Sequence, residues 1–210
     1  MDTLEITTPE LINPMTYAQF KALSEALVAE NKTTGPEQSE QRIGFTKLNQ
    51  QRLKRVEKQF VLQPALQELL AQNQRAWKWL VLVEAWCGDG AQTLPAIAAI
   101  AAQAPNIELV VLLRDENPAL MDTCLTNGSR AIPKLICVDA ETGERLFTWG
   151  PRPTAIQAQV KQLKADRPDI HHDELVQQVQ LWYAKDRSQA LQQDMVQLLQ
   201  EALQTQGAEV

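Results

Sequence analysis

From Trp79 to Ala85 the chain is apolar until Glu84, and at Trp86-Cys87-Gly88 it turns into a second apolar stretch. A strand with no polar alternation is covered on both faces, so this one belongs in the middle of a layered α/β fold. The turn sets a thiol at a helix start, where free N–H groups and the positive end of the dipole favour a thiolate. Three residues on stands Gly90, so the turn holds one cysteine and no second.

The elements around this turn alternate. Leu94 to Gln103 reads as a helix, Ile107 to Leu113 as a second buried strand, and Pro118 to Leu125 as a short helix. Ile132 to Val138 and Arg145 to Trp149 read as strands, joined through Asp139-Ala140-Glu141-Thr142-Gly143 as an antiparallel hairpin. Thr154 to Leu163 closes the unit as a helix. A βαβ crossover, a hairpin and a helix make a small mixed sheet flanked by helices.

Helical patterns lie on either side. Tyr17, Phe20, Leu23, Leu27 and Val28 recur at helical spacing, as do Phe45, Leu48, Leu53, Val56 and Phe60. Pro64 to Gln72 begins with proline at a first helical position. Asp173 to Leu203 is helical and glutamine-rich, with one stripe of Leu175, Val179 and Trp182 and another of Leu191, Met195, Leu198 and Leu199. The chain is thus read as a helical N-terminal extension over 1–75, an α/β domain over 76–165 and a helical C-terminal extension over 166–210. Amphipathic stripes of this kind suit packing on the domain or a dimer surface, so monomer and homodimer both remain open.

Composition narrows the function classes. The 210 residues are 44% hydrophobic and 22% charged with a formal net charge of −6, which disfavours nucleic acid as a partner. Cys87, Cys124 and Cys137 are odd in number and irregular in spacing, so they form no disulfide framework and point to a reducing compartment. No run approaches the ~18 apolar residues of a membrane span. Met1 to Glu5 lacks a basic and then apolar leader, and the expectation is a soluble cytoplasmic protein. His171-His172 sits in a linker, no other cluster has metal-ligand spacing, and no glycine-rich phosphate loop follows a strand, so neither metal nor cofactor is expected.

Two motifs at this separation carry a resemblance. Trp86-Cys87-Gly88-Asp89 after a strand, with Arg130-Ala131-Ile132-Pro133 opening a later one, resembles the thioredoxin superfamily over about Trp77 to Lys164. The whole chain looks more like a bacterial thioredoxin-like subgroup with a helical N-terminal extension. Its Arg114-Asp115-Glu116-Asn117 stretch, its Trp149-Gly150-Pro151-Arg152-Pro153 segment and the tail residues Trp182 to Asp186 carry that likeness. A small residue in place of the second cysteine is typical of that subgroup. The resemblance implies a thioredoxin-like fold and a cis Pro133 beside Cys87, presenting Ile132 backbone groups to an extended partner.

The candidate site follows. Cys87 is the nucleophile, its pKa lowered moderately because Asp89, two residues on, competes for the same positive potential. Lys134, next to Pro133, is placed to offset Asp89. Trp86 either shields the thiol or packs in the core. Glu84 is preferred as an exposed strand end or the partner of a neighbouring Arg or Lys; its alternative is a buried carboxylate exchanging protons with the thiol. Cys124 is the one internal candidate to resolve a mixed disulfide, against a simpler reading as a small buried residue, and Cys137 is core. Arg52, Lys54, Arg55 and Lys58 read as a solvated face, and Asp115, Glu116 and Asp122 as caps of the short helix.

The leading functional reading is a monothiol redox protein exchanging with protein thiols or disulfides, or with glutathione, through Cys87. The alternative is a non-catalytic module that binds a protein through the same platform.

Overall fold

The computed structural model describes residues 10–207; the segment Met1 to Glu5, read above as lacking a leader, lies outside them. Three helices come first: α1 (Tyr17–Ala29), α2 (Glu40–Gln59) and α3 (Pro64–Gln72). The central unit is β1 (Trp77–Val83), α4 (Gly88–Ala101), β2 (Ile107–Leu113), α5 (Pro118–Asp122), β3 (Lys134–Asp139), β4 (Arg145–Trp149) and α6 (Thr154–Asp166). Two helices finish the chain, α7 (His172–Asp186) and α8 (Gln189–Gly207).

The sheet order is β2-β1-β3-β4. β1 pairs parallel with β2 and antiparallel with β3, and β3 pairs antiparallel with β4 across a register shift at Cys137/Val138. This is the mixed sheet flanked by helices expected of the sequence. β1 is central, and Trp79 to Val83 are all at most 1% exposed, which is why that segment shows no alternation. The β2 edge is not left open: Met15 exchanges two backbone hydrogen bonds with Val111, at 3.0 and 2.8 Å, covering part of an otherwise unpaired row.

Several boundaries differ from the sequence reading, including the start of β1 at Trp77 and the end of α5 at Asp122, and three of the differences have a clear physical reason. β3 starts at Lys134, because Pro133 has no N–H to give a ladder. α4 starts at Gly88, six residues earlier than the apolar run suggests, since Gly88 and Gly90 depress local propensity while burial against the sheet overrides it. Pro95 lies inside that helix. The tail is two helices broken at Arg187-Ser188, both with positive φ (51 and 64).

The terminal helices divide between two cores. Phe20, Val56, Leu66, Leu70, Leu191, Met195 and Leu199 share the main core with the sheet and α4, so α1, α2, α3 and α8 pack directly on the α/β unit. A separate small core joins α6 and α7 through Ile156, Val160, Leu175, Val179 and Tyr183. No helix among the described residues is long and apolar enough to cross a membrane.

Candidate active site

The thiol of Cys87 is itself the N-cap of α4. Its Sγ accepts the Gly90 N–H at 3.3 Å and donates to the Ile132 carbonyl at 3.4 Å. Serine or aspartate ordinarily fills an N-cap; sulfur there is a weak acceptor that satisfies one free amide. The Ile132–Pro133 and Gly150–Pro151 peptide bonds are both cis. Together these loops close over the start of α4.

Burial overturns the expected acidity of Cys87. The residue is 6% exposed, and its pKa is pushed up to about 12, first by loss of solvation and then by the charge of Asp89. The N–H groups of Gly90 and Asp89 and the Arg152 guanidinium act in the opposite sense and do not prevail. The sulfur is therefore a thiol at rest, which its hydrogen bond to Ile132 requires. A helix start lowers a thiol pKa only where water or nearby cations also reach the sulfur.

Asp89 is nearly buried, with its side chain 12% exposed, and pairs through Oδ2 with Arg152 Nη2 at 2.8 Å. Burial raises the Asp89 pKa, against the lowering influence of Arg152 and then Arg52. The Tyr183 hydroxyl lies near this carboxylate and, ahead of Arg52, favours its charged form, although it stands outside full hydrogen-bond geometry with Oδ1. The partner of Asp89 is thus Arg152 and not Lys134. Lys134 is 5% exposed, and its ammonium is drawn away to the Thr126 hydroxyl at 2.6 Å and the Gly150 carbonyl at 3.1 Å.

Glu84 also departs from the preferred reading. It is 1% exposed, takes the Asp115 N–H on Oε1 at 2.9 Å and leaves Oε2 without a partner. Burial raises its pKa, opposed by the Thr34 hydroxyl and the Asp115 amide. The loop at Gly35 seals it: a Cβ there would stand 2.6 Å from Asp115 Oδ2 and 3.7 Å from Glu84 Oε2. Sequence alone does not show this, because the cover comes from the N-terminal segment some fifty residues away.

Trp86 takes neither extreme. It is half-buried, with the Arg42 guanidinium 4.1 Å and the Arg114 guanidinium 5.0 Å from its ring. Cys124 is buried, its sulfur directed to the Met121 and Leu120 carbonyls at 3.4 and 3.6 Å. Cys137 is fully buried in β3.

A cleft of about 460 Å³ opens at this point, and Trp86, Cys87, Gly88, Asp89 and Ile132 line it. Glu84, Cys124, Pro133 and Lys134 are not among its walls. Sequence reasoning missed Arg52, Arg152 and the α7 residues Leu175, Val179 and Gln180, which do line it. Arg52, expected on a solvated face, is instead half-buried, its Nη1 donating to Asn49 Oδ1 at 2.8 Å. The available signal for Arg152 was the Trp149 to Pro153 segment, where two prolines fix a cation in a rigid loop.

Gly90 and Gly150 are where backbone must approach closely. A Cβ on Gly90 would lie 2.5 Å from Val83 Cγ2, so the place of a second cysteine is filled by a valine of β1. Gly150 has φ +112, and a Cβ there would meet the Pro133 carbonyl oxygen inside contact distance. Gly150→Ala is expected to cost about 2–4 kcal/mol of stability, read from urea midpoints. A loss under about 0.5 kcal/mol would show that the two loops are not pressed together.

Fold and site together define a thioredoxin-fold protein with one thiol, at the N-cap of α4. The chain belongs to the thioredoxin family, whose model matches residues 35–164. The match begins well before β1, so α2 and α3 fall inside it. Among solved structures, a protein of unknown function from Pseudomonas aeruginosa is similar with a TM-score of 0.58 at 22% identity. That alignment covers 90% of this chain and 99% of the other. An HIV epitope scaffold is similar with a TM-score of 0.50 at 22% identity, covering 89% and 98%. At these identities the likeness is one of fold. No curated protein matches the chain.

Proposed function

We propose that this protein is a monothiol redox protein of the cytoplasm, in which Cys87 carries thiol–disulfide exchange. The observation that supports it is the position of Cys87 Sγ, capping α4 while lining a cleft large enough for a substrate. The Trp-Cys-Gly-Asp turn with its Gly90 supports assignment to the bacterial subgroup that lacks the second cysteine. Protein disulfides and glutathione disulfide are the substrate classes.

In the step, Cys87 loses its proton to solvent and its sulfur attacks one sulfur of the disulfide. The old S–S bond breaks as the Cys87 mixed disulfide forms, and the departing thiolate takes up a proton. With Gly90 in place of a cysteine, a thiol from outside the chain completes the cycle by attacking the mixed disulfide and releasing Cys87. The raised thiol pKa makes this exchange slow at neutral pH and faster as pH rises.

A second reading, a non-catalytic module that binds a protein, is favoured by that same raised pKa. Intact-mass measurement after 2-hydroxyethyl disulfide treatment separates the two. The redox reading expects one adduct on the native fold, absent in Cys87→Ser and reversed by added thiol. No adduct on folded protein, with Cys87 reacting only in denaturant, would leave the binding module standing.

A further inference from the structure

The cleft beside Cys87 is basic in a chain whose formal net charge is −6. Arg52, Arg114, Arg130, Arg152 and Lys164 all line it. Carboxylates answer three of them: Asp115 pairs with Arg114 at 2.8 Å, Asp122 with Arg130 at 2.6 Å and Asp89 with Arg152 at 2.8 Å. Among the described residues, Arg52 and Lys164 form no ion pair; Asp89 acts on Arg52 but is already paired with Arg152, so five cations of the cleft face three carboxylates.

Arg52 is the more telling of the two. It is half-buried and bonded to the neutral Asn49 Oδ1, and its guanidinium stands 3.2 Å from where a Cβ on Gly88 would be. Burial and then the like charge of Arg55 work against its protonated form, and the charge of Asp89, shared with Arg152, offsets them only in part. A cation held partly out of water beside another cation, with the nearest carboxylate committed elsewhere, gains from a further anion in the site.

Shape limits what that anion is. A volume of about 460 Å³ lies in the range of small-molecule sites and is too small for a folded partner. Phe45, Trp86, Leu175 and Val176 supply apolar walls, and α7 closes one side. We propose that this cleft binds a small organic molecule carrying two oxyanion charges on an apolar body, with Arg52 as its principal anchor. Guanidinium forks match carboxylate and phosphate alike, so the shared chemistry is the oxyanion. The inference concerns binding to the reduced protein and stands apart from whether Cys87 turns over.

Calorimetric titration of the full chain tests it with three probes of similar shape: isophthalate, phenyl phosphate and neutral isophthalamide. Binding of either anion at least roughly tenfold tighter than the diamide, and weaker by about tenfold between low and ~0.3 M salt, is expected. The tighter anion identifies carboxylate or phosphate as the natural group. Arg52→Gln is expected to lose about tenfold while Arg52→Lys keeps part of it, with unchanged circular dichroism. Lys54→Gln, an equal charge change on the exposed side of α2, is expected to leave binding as it was. Anions binding no better than the diamide, or Lys54→Gln losing as much as Arg52→Gln, would overturn the proposal. Neither result bears on adduct formation at Cys87.

Discussion

Gly90→Cys combined with Val83→Ala is expected to convert this one-thiol site into one that closes a disulfide. A Cβ at position 90 stands 3.5 Å from both the Cβ and Sγ of Cys87, which is within the Cβ separation a disulfide needs. What blocks it is Val83, whose Cγ2 would be 2.5 Å from that Cβ. Gly90→Cys alone is therefore expected to lose about 1–3 kcal/mol from overpacking. Val83→Ala removes the obstructing methyls, and the double variant is expected to lose two hydrogens in mass as a mild oxidant takes up the two electrons, and to gain insulin-reduction activity. Two thiols still free by alkylation counting, in a folded double variant, would show that the start of α4 lacks the geometry of a dithiol turn.

The second large effect is expected at Asp89. Burial is the first reason Cys87 keeps its proton and the Asp89 charge is the second. Asp89→Asn removes that charge and leaves the Arg152 guanidinium to favour the thiolate. Alkylation of Cys87 near neutral pH is expected to speed up by roughly tenfold or more, with the pH profile moved to lower pH. The movement is partial, because burial remains.

The same substitution affects stability in a definite direction. Because burial raises the Asp89 pKa, the folded state binds its proton more tightly than the unfolded chain does. Its contribution to stability is present below the unfolded carboxylate pKa and is lost as pH rises through the folded one. Asn lacks this slope, so unfolding free energies of the two proteins are expected to differ in their pH dependence across the acidic range. Separately, leaving Arg152 without its partner is expected to cost about 1–3 kcal/mol at neutral pH. Unchanged or slower alkylation in Asp89→Asn would show that some other group keeps the proton on Cys87.

Much of the fold is legible in short-range pattern. The unalternated β1, the Asp139 to Gly143 turn and the periodic stripes of α1, α2, α7 and α8 are statements about neighbours within one element. The electrostatics of the site are not of that kind. Asp89 and Cys87 are two residues apart, and a helix start on its own predicts a lowered thiol pKa. Arg152 lies sixty-odd residues downstream and the α7 wall further still, so the solvent exclusion that reverses the prediction has no local signature. Glu84 follows the same logic, since the Thr34-Gly35 loop that covers it lies between α1 and α2, some fifty residues away. Lys134 shows the converse: adjacency to Pro133 suggested a role at the thiol, and the side chain points instead to Thr126 and Gly150.

The strand, the Trp86-Cys87-Gly88 turn and the absence of a second cysteine at position 90 are decided by the sequence, because each is a matter of residue type and local periodicity. What only the tertiary structure decides is that Val83 fills the vacant place, that Cys87 stays protonated, and that the cleft above it is basic. Desolvation and charge depend on everything brought within a few ångströms, and here that comes from α2, α7 and the Trp149 to Pro153 loop, all distant in the chain.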